Sequence, residues 1–468
     1  MSAPIPVPAD ELLAIAQEYL DAGRPEAAAR LARHLLAVLP DQPDALHLAG
    51  LAAFQAGRHA EAGDLVTRAA IVSGQALPWR TLAEIRRTQA RLEEALGAAR
   101  HAVSLNPADA LALFQLAMVL YDRQELPACI AAARAALDLR PALPEAHMKL
   151  AQALLASGDF AQGWPEYEWR WHIPGAPALL PATDRPMWNG APLPGRLLLI
   201  ADQGYGDAIM FARYLPWALV RAPHAVVAAS ADLHALLHAI HPGLTLIAHW
   251  GDVPDFATWC PLSSLPLLHG TTEATIPAPI PYLRPDPAHS AAWRARLDAV
   301  LPPGHRRIGL AWAGRPTHPN DASRSTALAT LAPLAALPNT AFVSLQRGEA
   351  AAQARHWPGP APLLDPGEEL GAFEDTAALV ATLDLVLSVD TAVVHLAGAM
   401  GHKCWVMLPF APDWRWLTGR ADSPWYPSLR LFRPPAPRDW PALVGEIIAA
   451  LSASTHSGVR LAPGPELA

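Results

Sequence analysis

Through its first third the chain alternates Ala/Leu-rich stretches of helical period with short polar turns. The turns return at a fixed interval: AGRPEAA around Gly23, AGRHAEA around Gly57, QARLEEA around Ala90, RQELPAC around Gln124 and SGDFAQG around Gly158. Each turn is preceded by one predicted helix and followed by another, and the second helices end near Pro40, Pro107 and Pro141. From about residue 195 the period changes. RLLLIA (196–201) reads as an apolar strand, DAIMFARYLPWAL (207–219) as an amphipathic helix, HAVVAAS as a strand and ADLHALLHAI as a helix. A second series opens at RRIGLAW (306–312) and runs through AFVSLQ (341–346), helix DTAALVATL (375–383), strand DLVLSV (384–389), helix TAVVHLAGAM (391–400) and strand KCWVMLP (403–409). Continuous apolar strands alternating with helices predict parallel sheets covered on both faces.

The helix–turn–helix unit of 34 or 33 residues, with a small residue in the turn and Pro at the end, is the tetratricopeptide (TPR) pattern. Ala28, Ala62 and Ala95 let the two helices of a unit approach closely, and Leu46, Ala49, Gly50 and Ala53, or Leu113, Leu116, Ala117 and Leu120, supply a stacking face. Such arrays have no chemistry of their own and bind extended segments of other molecules. The fifth unit runs into GWPEYEWRW, whose Trp164, Trp169 and Trp171 suit packing against a following domain, with carbohydrate stacking as the other use of an indole. The predicted organisation is a TPR solenoid over 1–171, a Pro/Gly-rich linker over 172–194, and two doubly wound Rossmann-like domains over 195–300 and 301–453. A small, polar tail over 454–468 is expected to be disordered.

Composition narrows the function classes. Lys+Arg 35 against Asp+Glu 43 gives a net charge of −8, which leaves no basic surplus for a phosphate backbone and argues against nucleic acid as partner. With 52% hydrophobic and 17% charged residues, large cores are within reach. Cys129, Cys260 and Cys404 lie far apart without a CxxC pair, excluding a disulfide framework or zinc finger and fitting a reducing compartment. The N-terminal MSAPIPVPADELL has neither a basic segment nor an apolar core, so no secretory signal is expected. Leu379–Met400, the most apolar stretch, is interrupted by Asp384, Asp390 and His395, and no transmembrane segment is predicted. The protein is read as cytoplasmic.

Ligands of doubly wound sheets sit at the carboxyl ends of the strands, which selects three loops. In DQGYGD (202–207), Gly204 and Gly206 leave room for a tight turn and a ligand, and Asp207 opens a helix. Asp207 is either an N-cap or a general base toward a hydroxyl. The third Gly of a dinucleotide fingerprint is missing, so no nicotinamide site is expected. The loop AGRPTHPNDASRS (313–325) gathers Arg315, His318, Asn320, Asp321 and Arg324, as a solvated polar loop or as guanidinium groups offered to a diphosphate. In SVDTAVVHLAGAMG (388–401), Asp390 ends a strand at a helix N-terminus suited to phosphate, while Thr391 and His395 share one helix face; taken by itself, His395 reads as a packing residue. No metal-ligand spacing and no G-x-S-x-G occur. After the last predicted strand, Trp414, Trp416, Trp425 and Tyr426 suit a sugar or base pocket, or packing of a crossover.

DQGYGDAIMFARYLP, GLAWAGRPTHPNDASRS, SVDTAVVHLAGAMG and PDWRWLTGRADSPWYPSLRLFRP together resemble bacterial TPR proteins with a heptosyltransferase-like domain (glycosyltransferase family 9, GT-B fold) over about Trp188 to Pro434. The TPR-plus-GT-B layout is also similar to the O-linked N-acetylglucosamine transferases, whose catalytic segments are not evident. The resemblance implies inverting, metal-independent transfer of a sugar from a nucleotide-diphosphate donor to a hydroxyl, with no cofactor. It implies Asp207 as general base and Asp390, Thr391 and His395 as donor-binding residues. Arg324, or else Arg315, would hold the diphosphate, and Glu349 or Gln346 the ribose. Asp202-Gln203 replaces the Lys/Ser-rich first loop of lipopolysaccharide-directed members, and with the repeats this points to a protein acceptor, a glycan being the other class. The alternatives are a TPR interaction protein whose GT-B pair has lost turnover, and a lipopolysaccharide or capsule transferase joined to a membrane complex through its repeats.

Overall fold

The computed structural model describes residues 8–175, 180, 183–241, 243–253, 255–277 and 279–456. The chain divides into two compact units, Met1–Ser157 with Trp169–Ile173, and Gly158–Glu168 with Pro174–Ala468.

The first unit is a TPR-like helical solenoid. Its helices are α1 (Ala9–Asp21), α2 (Pro25–Val38), α3 (Pro43–Gln55), α4 (His59–Ser73), α5 (Ala76–Thr88), α6 (Leu92–Leu105), α7 (Ala110–Asp122), α8 (Leu126–Leu139) and α9 (Pro144–Ala156). Each intra-repeat turn is made by one residue in the left-handed region at the repeating position: Gly23 (φ 66°), Gly57 (77°), Ala90 (61°) and Gln124 (62°). Glycine adopts that conformation freely, whereas Ala90 and Gln124 hold it at a local cost that the packing of the flanking helices offsets. Ala28, Ala62 and Ala95 are fully buried where the helices of a pair meet, and Cys129 takes the same place in the fourth repeat. Side-chain bonds link successive first helices, His47 to Thr81 at 2.9 Å and Gln115 to Glu84 at 2.8 Å.

The second unit begins with α10 (Phe160–Tyr167), the second helix of the fifth repeat. Trp164 of α10 is 2% exposed and donates to the Thr271 carbonyl at 2.9 Å, so this indole is packed and not presented for stacking. Two all-parallel sheets follow. The first runs in the order β3-β2-β1-β4, with β1 (Leu197–Ile200), β2 (Val226–Ala228), β3 (Thr245–Ile247) and β4 (Thr258–Pro261). Its helices are α11 (Tyr205–Phe211), α12 (Leu215–Arg221), α13 (His234–His238) and α14 (Leu265–His269). The single helix predicted over 207–219 is thus two, joined by a 3-10 turn at Ala212–Tyr214. Pro216 has no N–H to continue the first helix, which must end one turn earlier. Met187 of the expected linker bridges to Trp259 beside β4, and Trp188 is buried; 176–179 and 181–182 of that linker lie outside the described residues.

After α15 (Pro287–Val300) comes the second sheet, ordered β10-β9-β8-β5-β6-β7: β5 (Arg306–Ala311), β6 (Thr340–Ser344), β7 (Leu363–Leu364), β8 (Leu385–Val389), β9 (Cys404–Met407) and β10 (Leu429–Phe432). Read from the β7 edge this is the 3-2-1-4-5-6 order of nucleotide-binding Rossmann sheets. Its helices are α16 (Asp321–Arg324), α17 (Phe373–Val380), α18 (Ala392–Ala399) and α19 (Trp440–His456). The core on one face joins Ile308, Leu310, Trp312, Phe342, Leu387, Phe432 and Ile447. The tail expected from 454 opens as the last turn of α19, and 457–468 lie outside the described residues.

Candidate functional site

In each sheet the strand order reverses at one point, the place where doubly wound sheets as a class bind their ligands. In the first sheet the reversal lies between β1 and β4. Asp202, after β1, is buried and accepts from Ser263 Oγ at 2.5 Å and Ser263 N at 3.1 Å, closing the loop against the end of β4. In the second sheet the reversal lies between β5 and β8, so the segments 313–325 and 390–391 follow neighbouring strands.

Asp207 is the third residue of α11 and not its N-cap; its Oδ2 accepts from the Gly204 N–H at 3.2 Å, closing the first turn. Gly204 has φ −69°, a value open to any residue, so the turn does not require glycine there. Gly206 is required for a different reason. A Cβ at that position would stand 2.7 Å from His395 Cδ2 and 3.5 Å from Ala392 Cα, so the start of α11 abuts α18 of the other sheet.

Across this contact lies Arg415, in the Asp413–Trp416 turn after β9. Its Nη2 donates to Asp207 Oδ1 and its Nη1 to Asp413 Oδ1 at 2.6 Å. Arg415 is 7% exposed. Burial opposes the charge, but Asp207 and Asp413 hold the guanidinium well above its ordinary range. Arg324 Nη1 donates to the Asp390 carbonyl at 3.2 Å, and its Nε lies 3.7 Å from Asp321. Thr391 is the N-cap residue of α18, yet no side chain caps the helix; its hydroxyl meets Ser388 Oγ at 3.2 Å. The Val394 N–H donates to the Thr391 carbonyl at 3.0 Å, which leaves the Ala392 and Val393 N–H groups for an anion.

Burial pushes the Asp390 carboxyl up to about 6, with the Asp413 charge adding to the shift and Trp416, Arg324 and Arg415 opposing it. His395 is held well below its usual value by burial first and then by Arg415, Arg213 and Arg324. It is therefore a neutral imidazole, its Nδ1 3.0 Å from Tyr426 Oη. His318 is also lowered, by burial and by Arg324.

The structure thus brings together Asp207, Gly206, Arg324, Asp390, Thr391 and His395. Gln346 is nearby but committed elsewhere. Its Oε1 accepts from the Trp312 and Ala313 N–H groups, both at 2.9 Å, and its Nε2 donates to the Ala313 and Arg347 carbonyls at 3.0 Å. That amide ties the loops after β5 and β6 together, with its oxygen and nitrogen each bonded to two backbone groups. Arg315 and Glu349 are exposed and form no ion pair or side-chain hydrogen bond among the described residues. Arg415 and Asp413 carry no local sequence signal, lying among the indoles of PDWRW (412–416) far in sequence from Asp207.

Trp414, Trp416, Trp425 and Tyr426 are all 1% exposed or less, which makes them packing residues in this arrangement. Tyr426 is pressed against α18, where a Cβ at Gly398 would come within 2.5 Å of Tyr426 Cγ and 2.6 Å of Cδ1. Gly398→Ala gains about 1 kcal/mol of helix propensity but overpacks a ring that cannot move, at about 1–3 kcal/mol. A net loss of stability in urea unfolding is expected; a stabilised variant would contradict this packing.

A repeat solenoid followed by two parallel α/β sheets defines the architecture. No family model matches the chain. Protein FlbA of Caulobacter vibrioides is 32% identical over 347 residues, covering 65% of this chain and 55% of FlbA, so the chain spans about half the length of that curated relative. Similar solved structures include the thermophilic TPR protein TTC0263 of Thermus thermophilus, at 21% identity and TM-score 0.32 over 36% of this chain and 92% of that one. PilF of Pseudomonas aeruginosa has 19% identity and TM-score 0.34, over 36% and 79% of the two chains. MamA of Desulfovibrio magneticus RS-1 has 21% identity and TM-score 0.30, over 34% and 90%. No helix among the described residues is long and apolar enough to cross a membrane.

Proposed function

We propose that the chain is an inverting, metal-independent glycosyltransferase of GT-B arrangement. It would move a sugar from a nucleotide-diphosphate donor to a hydroxyl, with the helical repeats recognising a protein or glycan acceptor or a protein partner. The observation that carries this reading is the contact of Asp207, from the first sheet, with Arg415 from the second, together with Arg324 held on the Asp390 carbonyl at the uncapped start of α18.

In this reading the acceptor oxygen attacks the anomeric carbon while Asp207 takes its proton. The bond from that carbon to the diphosphate oxygen breaks, and the electron pair leaves with the diphosphate. The transition state has oxocarbenium character. Arg324 and the α18 N–H groups stabilise the charge growing on the leaving group, the task a divalent metal performs elsewhere. Neutral His395 offers a ring nitrogen to the donor without adding charge. The three unpaired, buried cysteines suit a cytoplasmic setting.

The test is a thermal-shift titration with ADP, GDP, UDP and CMP, each with EDTA and with Mg²⁺. One nucleotide stabilising without metal, by about 2.7 kcal/mol at one hundred times its dissociation constant, is expected. No stabilisation at millimolar concentration would overturn the reading and favour a TPR interaction protein with an inactive α/β pair.

A further inference from the structure

The hydrogen bonding around Arg415 is unbalanced. Both terminal nitrogens of its guanidinium are given to carboxylates, Asp207 and Asp413, while its Nε is buried without a partner. Arg324 Nε is likewise buried and makes no hydrogen bond, its nearest carboxylate oxygen being Asp321 Oδ1 at 3.7 Å. Both are donors, and both belong to residues whose charge acts on Asp390 at the start of α18. Buried donors are normally satisfied, and an anion with several oxygens is the ligand that satisfies a set such as this one. Arg415 is central to it, because its charge weighs on both Asp390 and His395. A guanidinium edge turned to a carboxylate cannot at the same time be turned to a phosphate, so Asp207 and a diphosphate compete for the same N–H groups.

We propose that Arg415 is a positioning residue shared between the base and the leaving group. Paired with Asp207 it keeps that carboxylate occupied; drawn onto the phosphate oxygens of a nucleoside diphosphate at α18, it releases Asp207 to accept the proton of the incoming hydroxyl. The proton acceptor is then unmasked by the group that must leave, and the donor precedes the acceptor in productive binding. This inference rests on the transferase reading above.

Competition of this kind is reciprocal, so it is measurable without turnover. Asp207→Asn removes the charge and keeps an oxygen for the Gly204 N–H. Inorganic pyrophosphate and the four nucleotides are titrated by calorimetry into the wild type, into Asp207→Asn, and into Asp232→Asn. The last loses a carboxylate that binds the Tyr205 hydroxyl at 2.7 Å and does not touch Arg415. Asp207→Asn is expected to bind pyrophosphate about tenfold more tightly, within the usual range for coupled sites, and Asp232→Asn to bind as the wild type does. Unchanged or weaker binding by a folded Asp207→Asn protein overturns the latch while leaving the transferase reading standing. Equal tightening in both variants also overturns it, as a general effect of charge. If the wild type binds neither pyrophosphate nor any nucleotide, the transferase reading falls and the latch with it. Asp207→Ser, which also lacks the carboxylate, is the second variant if the first does not fold.

Discussion

Asp207→Asn is expected to lower sugar transfer by roughly 10²–10⁴-fold, the usual contribution of a positioned general base, with the α/β unit still folded. The near-isosteric amide keeps the bond to the Gly204 N–H that closes α11 and loses both the capacity to take a proton and the ion pair with Arg415. Its effect on binding runs the opposite way, since the Asn no longer holds Arg415 and the diphosphate is bound more tightly. A variant that binds its nucleotide better and turns over far more slowly is the combined signature. Single-turnover rates with the donor sugar nucleotide picked out by the nucleotide titration provide the measurement. Wild-type turnover by the folded variant would remove Asp207 from the chemistry and leave its contact with Arg415 as a bond between the two sheets.

What could be read from the sequence was what has a period. The turn residues Gly23, Gly57, Ala90, Gln124 and Gly158 all take positive φ, the backbone counterpart of a spacing visible in the letters. The long apolar strands β5, β6 and β8 were legible for a similar reason, since strands buried on both faces must be continuous runs of apolar residues. Short edge elements such as β3, with one exposed and two half-buried residues, have no such run. At the site, Asp207, Asp390, Thr391 and His395 could be singled out because each follows a strand whose carboxyl end is predictable. Arg415 could not. Its role depends on a partner 208 positions away, brought close by the approach of two sheets, and nothing local in PDWRW distinguishes it from a surface arginine. Gln346 shows the converse: the right type of residue at the right strand end, with its amide already consumed by the backbone of the neighbouring loop.

The second large effect expected is on stability and comes from Asp390. Its carboxyl titrates at about 6 in the folded chain against an ordinary value of 3.8, because burial penalises the ionised form and Asp413 adds to it. Above pH 6 both folded and unfolded chains are ionised at this position, and the folded state carries the whole cost, about 3 kcal/mol at 1.36 kcal/mol per unit. Between pH 6 and 4 the folded chain takes up a proton that the unfolded chain does not, so the cost is progressively relieved as pH falls. Asp390→Asn has no such charge to bury. In urea unfolding at pH 7.5, followed by tryptophan fluorescence, the variant should be more stable than the wild type by up to about 3 kcal/mol. The two should converge as the pH approaches 4.5. Other carboxylates titrate over the same interval in both proteins and cancel in the difference. A variant less stable than the wild type at pH 7.5 would mean that the ionised carboxylate is held by the Arg324 and Arg415 charges more strongly than burial opposes it. On the transferase reading proposed above, the cost of keeping this carboxylate at a strand end beside Arg324 and an uncapped helix is offset by what it does when the donor binds.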